Sequence, residues 1–351
     1  MTEPEERNTM TIQHFDQGRI ESFAEWPVDV PNSGPRPLPY LAYPKASDVD
    51  RHGVQPLPAS LPLVDFAQAK PYRSNRYATV AAARLAPDQV LQMARVVATS
   101  FARREPQSRH LQPPKRPPAG LVEARHTDPF GSSDPFGPWN TETLLYWFIR
   151  LLVLTDPTDP RCAIEVNVSS LAQSLAIVDE EGRVIGGAFN ETMPPFDVMP
   201  EFREDDPFLA AVLEFLEPVL AMLGTQDAEA LTALSARYPA FREAYAQGKV
   251  GHHFMVARSD ALAKEDAFEL VAATAERYRA LGHAYMVVEA TNQWTGAACE
   301  ALGGVRVHFA PFQAQPAVRQ SAEPLGGIVT SPNGFLSDKD SGSMFYAIRL
   351  A

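Results

Sequence analysis

The sequence predicts a mixed α/β domain, one central sheet with helices packed on it. Three observations predict this. HAYMVVEA (283–290) is a short, nearly continuous apolar run, as a strand buried on both faces is. SLAIVDEEGRVIGGAFNETM (174–193) is two apolar runs around Glu-Glu-Gly, which reads as a hairpin. Between such runs lie stretches with apolar residues at helical spacing, as at Ala267, Leu270, Val271, Tyr278 and Leu281.

Taken in order, residues 76–103 read as a strand followed by a helix, with Val90, Leu91, Ala94, Val97 and Ala98 on one face. TLLYWFIRLLVLT (143–155) is the most apolar run, and it is shorter than a membrane span and holds Arg150, so it reads as a buried helix. After the hairpin, 201–248 reads as helices. HHFMVA (252–257) is a strand, and the helix after it closes at Gly282. A short helix ends at Leu302, and VRVHFAPF (305–312) and SMFYAIRL (343–350) alternate like antiparallel strands. This gives a domain over 75–351, with a helical insertion at 195–248 and a loop insertion at 313–341. Residues 1–74 mix proline with Leu, Tyr and Phe, and read as an extended arm on the body of the protein or as a flexible tail. Asp-Pro-Phe-Gly occurs twice, at 128–131 and 134–137; Phe130 and Phe136 either line a substrate mouth or pack inward from two turns.

Composition excludes several classes. The chain has 351 residues and a net charge of −12, which argues against a general nucleic-acid binder. Two cysteines, Cys162 and Cys299, build neither a disulfide framework nor a cysteine metal cluster. The acidic N-terminus lacks the apolar core of a signal peptide, so a cytoplasmic protein without a membrane anchor is expected. No metal set is expected.

AERYRALGHAYMVVEATN (275–292), CEALGGVRV (299–307) and GSMFYAIRL (342–350) together resemble the second half of the core of the GNAT acetyltransferase family. The hairpin falls where that family's second and third strands belong. The resemblance implies a mixed sheet with a splayed pair of parallel strands, here 252–257 and 283–290. It implies an acetyl-CoA or other acyl-CoA co-substrate with its pantetheine arm between those strands, and acyl transfer to a small amine. Met255, Val256, Ala257 and Asn292 would hold the arm. The pyrophosphate would sit after the first strand, near Lys264 and Ala267.

Two departures stand out. The family's loop carries a basic or amide residue and then glycine; counted back from Gly282, these positions are Leu262 and Glu265. A carboxylate about 6 Å from a phosphate would cost roughly 1–3 kcal/mol. The alternative reading of SDALAKED (259–266) is helix-start chemistry, with Ser259 or Asp260 as N-cap and Glu265 and Asp266 favoured by the dipole. Where the family often has a tyrosine acid, this chain has Cys299, either a proton donor or a small apolar core residue. The base expected at the start of the splayed strand falls on His252 or His253, which alternate in facing; His253 is the candidate, against a structural reading of the pair. Glu289 caps the strand end. Two functions stay open: an acyl-CoA-dependent N-acyltransferase, in which a homo-oligomer is one arrangement, and a GNAT-fold ligand sensor or interaction module with lost or altered CoA binding.

Overall fold

A computed structural model describes residues 53–66, 77–105, 108, 141–150, 171–193, 207–262, 264–311 and 342–351. The repeated Asp-Pro-Phe-Gly loop, Cys162, the loop 313–341 and most of 1–74 lie outside them.

The strands are β1 (Gly53–Val54), β2 (Ala78–Ala81), β3 (Leu175–Val178), β4 (Val184–Thr192), β5 (Val250–Arg258), β6 (Tyr285–Ala290), β7 (Val305–Pro311) and β8 (Gly342–Arg349). They form one sheet in the order β1-β7-β8-β6-β5-β4-β3-β2. All pairs are antiparallel except β5 with β6. The helices are α1 (Pro87–Arg104), α2 (Thr141–Phe148), α3 (Pro207–Arg237), α4 (Pro239–Ala246), α5 (Lys264–Ala280) and α6 (Gln293–Ala301).

One face of the sheet carries α1, α2 and the first half of α3 over Phe189, Met255 and Ala257, and the rest of α3 with α4 over Tyr285, Val287 and Phe345. The other face carries α5 and α6 over Met286, Val288, Ile348 and the hairpin's Ile177 and Ile185. Local signals set the ends. Pro87 opens α1, where its missing N–H costs no bond, and Gln89 Oε1 accepts the Ala86 N–H. Gly282, at φ +86°, closes α5 in a conformation that disfavours side chains.

Residues 53–66 lie along the sheet. β1 pairs with β7, Leu63 bridges to Arg349, and Leu61 and Val64 are buried. The helix after β5 starts at Lys264, later than the capping expectation. Ser259 and Asp260 belong to the turn before it: Ser259 Oγ accepts the Ala261 N–H, and Asp260 pairs with Arg104.

β5 controls the rest of the architecture. Phe254 is an extra residue against β4, since Phe189 opposes Met255 while Asn190 opposes His253. Such a bulge bends a strand and re-aims its side chains. β5 pairs with β6 only from Val250↔Tyr285 to His253↔Val288. Beyond that the two strands part.

Candidate functional site

A cleft of about 730 Å³, counted out to its open mouth, lies where β5 and β6 separate. Its wall is apolar: Phe101 of α1, Leu145 and Phe148 of α2, and Leu216, Leu220 and Leu223 of α3. Phe254 joins this wall because of the bulge, its ring 6.2 Å from that of Phe148. The polar residues gather at one end, where Glu105, His253, Glu289, Thr291, Asn292 and Thr295 line it. Glu289 is partly exposed as a residue, yet its side chain is only 4% exposed, so its main chain faces the gap.

Glu105 ends α1 and is buried. A carboxylate at a helix C-terminus opposes the dipole. Here the start of α6 offsets this, because Thr291 Oγ1 donates to Glu105 Oε2 and Asn292 Nδ2 donates to Oε1 at 2.8 Å. Asn292 is also the N-cap of α6: its Oδ1 accepts from the N–H groups of Trp294 and Thr295 at 3.1 and 3.0 Å. One side chain thus caps a helix and holds a carboxylate in the cleft.

His252 and His253 take opposite faces, as alternation requires. His252 sits between two carboxylates: Nδ1 is 2.9 Å from Glu191 Oε1 and Nε2 is 2.6 Å from Glu289 Oε2. Both partners accept, so both ring nitrogens carry protons. Burial opposes that charge, but Glu289 and Glu191 win, and His252 is held well above the ordinary histidine range. Its imidazolium in turn holds buried Glu289 down, to about 2. His253 is the reverse case. Asn190 Nδ2 donates to the Gln173 carbonyl, so Asn190 Oδ1 accepts from His253 Nδ1–H at 2.7 Å. Burial and the neighbouring His252 charge lower His253 to about 3. The candidate base is therefore a neutral imidazole at physiological pH, and a weak base.

The other expected residues fall as follows. Met255 and Val256 line the cleft, and Ala257 lies buried next along β5. Lys264 and Ala267 lie in the first turns of α5. Cys299 is fully buried among Val288, Leu302, Tyr346 and Ile348, away from the cleft lining. Burial, with Glu300 nearby, pushes its thiol far above the usual range. These are the surroundings of an apolar core residue, and Cys299 is not among the residues that line the cleft.

Leu262 is buried against Ile177, Ile185 and Leu270, so the position that the family fills with a polar contact is a hydrophobic anchor here. The turn before α5 is turned in on itself. Leu262 N–H bonds the Ser259 carbonyl at 3.3 Å, Arg258 donates to the carbonyls of Ser259 and Leu262, and Arg104 donates to the carbonyl of Arg258 at 2.6 Å.

Sequence reasoning missed Glu105, Glu191 and Asp227. Glu105 did leave a signal, a carboxylate at the end of an amphipathic helix just before Pro106. Asp227, on α3, and Glu191, near the end of β4, left none, because only tertiary packing brings them to His252.

No protein-family model matches the chain, and no curated protein matches it. Among solved structures, arylalkylamine N-acetyltransferase 7 of the yellow fever mosquito Aedes aegypti is similar at 11% identity, over 78% of this chain and 88% of its own, with a TM-score of 0.44. The C-terminal condensation domain of Ebony, solved with beta-alanyl-dopamine, is similar at 12% identity, over 78% and 99%, with a TM-score of 0.43. The acetyltransferase-like yncA of Salmonella typhimurium, solved with acetyl-CoA, is similar at 12% identity, over 79% and 95%, with a TM-score of 0.33. The chain's own topology gives the fold: a mixed eight-stranded sheet whose single parallel pair parts beside a bulge, flanked by helices on both faces, is a GNAT-like fold.

Proposed function

We propose that the protein is an acyl-CoA-dependent N-acyltransferase acting on a small amine with an apolar body. One observation carries this reading. β5 and β6 separate after His253 and Val288, and the gap opens directly into a cleft that ends at Glu105. A pantetheine arm is a narrow amide chain, and the strand edges of Met255, Val256 and Glu289 offer it main-chain partners. The apolar wall suits the body of the acceptor. Glu105 is the proposed base in place of His253: it lines the cleft, and it would take the proton that an ammonium must lose before attacking a thioester. Glu289 lines the cleft too, but the imidazolium of His252 already neutralises it.

The residues fit an acyl-pantetheine arm better than they fit the diphosphate. Lys264, Ala267 and the N–H groups of the first turn of α5 would hold the phosphates. Glycine and a polar residue at 262 are missing from that grip. This supports the second reading, a GNAT-fold binding protein with altered CoA affinity, because the turn at 259–262 satisfies its own polar groups.

Isothermal titration with acetyl-CoA and free CoA tests both. The expected result is micromolar binding of acetyl-CoA, followed by thiol release when aryl- or alkylamines are added. Silence at millimolar ligand would overturn the transferase reading and leave the binding protein.

A further inference from the structure

The charged chain under the cleft has a fourth member that the proposed reaction does not use. α3 passes over the cleft with Leu216, Val219, Leu220 and Leu223, and Asp227 follows Leu223 by one turn on the same side. The helix is pinned on either side of this residue. Gln226 Nε2 donates to the Ser343 carbonyl at 2.9 Å, and Ser343 Oγ donates to Gln226 Oε1 at 2.6 Å. Two residues past Asp227, Glu229 meets His308 Nε2 at 2.7 Å. So placed, the Asp227 carboxyl comes within hydrogen-bonding reach of Glu289.

Two oxygens in that arrangement stand out. Asp227 Oδ1 and Glu289 Oε1 are both buried, and no donor group of the described residues reaches either. Two facing carboxylates offer only acceptors. A proton on one of them supplies the missing donor and removes the repulsion between like charges. The surrounding charges agree. His252 of β5 is the one cation, and it already balances Glu289 of β6; Glu191 of β4 adds a further negative charge from His252's other side. No cation remains for Asp227 within this group.

We propose that Asp227 keeps its proton at neutral pH, donates it to Glu289, and so acts as the positioning residue of the cleft floor. Burial and the Glu289 charge raise the Asp227 carboxyl well above its ordinary range, in the same direction. Glu289 is then held at both oxygens, by His252 Nε2–H and by Asp227 O–H. Its main chain, which borders the gap between β5 and β6, is fixed in consequence. The shared proton stands whatever the cleft binds; its bearing on catalysis rests on the acyltransferase reading.

Infrared difference spectroscopy reads the proton directly. The wild-type protein at neutral pH is expected to show the carbonyl band of a buried protonated acid. Asp227→Asn removes that band. Glu289→Gln shifts or removes it, because the Asp227 acid then faces an amide and the His252 imidazolium in place of a carboxylate. Absence of the band in the wild-type protein, or its survival unshifted in both variants, would overturn the proposal. Thermal melts give an independent check. Asn donates as the protonated acid does and cannot ionise, so Asp227→Asn should gain melting temperature relative to wild type between about pH 5 and about pH 8. Asp227→Ala leaves Glu289 Oε1 without a donor and should melt lower at both. An Asn variant that tracks the Ala variant at every pH would mean that Asp227 acts as a carboxylate, against the proposal. A protonated-acid band in a protein that binds no acyl-CoA would keep the shared proton and remove the transferase.

Discussion

Glu105 carries the proposed chemistry through contacts that a small change separates cleanly. Glutamine at 105 keeps the size; its one oxygen can accept from Asn292 Nδ2 and its amide can donate to the Thr291 hydroxyl, but it is a far weaker base. Glu105→Gln is therefore expected to lower kcat by roughly 10²–10⁴-fold with acetyl-CoA affinity little changed; steady-state kinetics beside titration calorimetry checks this. An equal loss in both would make Glu105 a structural anchor. At this scale the sequence was least legible. It named the histidine pair and the alternation of their faces. It could not say which neighbour each ring would meet, and those neighbours decide the protonation: Glu191 and Glu289 charge His252, while Asn190 keeps His253 neutral. Cys299 shows the same limit, since only its burial among Val288, Tyr346 and Ile348 decides between acid and core residue.

Among the elements, β5 matters most, and its accuracy depends on Tyr278 of α5. The buried Tyr278 ring lies flat enough on the strand that a Cβ built at Gly251 would stand 2.5 Å from it. The hydroxyl is 2.7 Å from the carbonyl oxygens of both Glu191 and His252, sharing one proton between β4 and β5. The ring has no room to retreat. Gly251→Ala is expected to cost about 1–3 kcal/mol, read as a lower urea midpoint. Gly187→Ala should cost less, because its Cβ meets the flexible Met93 side chain, with Cγ at 2.7 Å and Cε at 3.0 Å, and not a fixed ring. Equal midpoints for the two variants would show that β5 can shift. Element types were legible because hydrophobic period is local: the hairpin and the Gly282 stop stand where the pattern put them, and the strand expected over 283–290 forms from Tyr285 to Ala290. The bulge at Phe254 was not legible. Nothing in GHHFMVA marks an extra residue, which exists only relative to the β4 partner.

For the whole molecule, the buried charges set a stability optimum. Glu289, held near 2 against an ordinary value of 4.5, contributes stability that is fully present above 4.5 and is lost as pH falls toward 2. His253, lowered to about 3, adds to the acid loss, because the unfolded chain takes up its proton below 6.5 while the folded one does not. On the alkaline side the signs reverse. His252 is raised, so its stabilisation is complete below 6.5 and disappears as pH climbs through its folded value. Asp227, also raised, releases its proton more readily in the unfolded chain, and so weakens the fold as pH rises above 3.8. Between about pH 4.5 and 6.5 the His253 and Asp227 effects oppose each other, so melting temperature is expected to pass through a broad maximum there and to fall on both sides; a melt series that rises steadily into the alkaline range would contradict the imidazolium of His252.

The sheet's two margins have a consequence of their own. An open sheet invites growth, because an unpaired border strand is a template for a foreign one. Here the borders are β1, two residues long, and β2, four residues long. Among the described residues each offers an incoming strand only a short row of unpaired main-chain groups, while the longer strands β4, β5 and β8 lie inside the sheet between neighbours. The tapering of the sheet thus works against edge-to-edge aggregation, in a molecule whose interior strands carry long apolar runs.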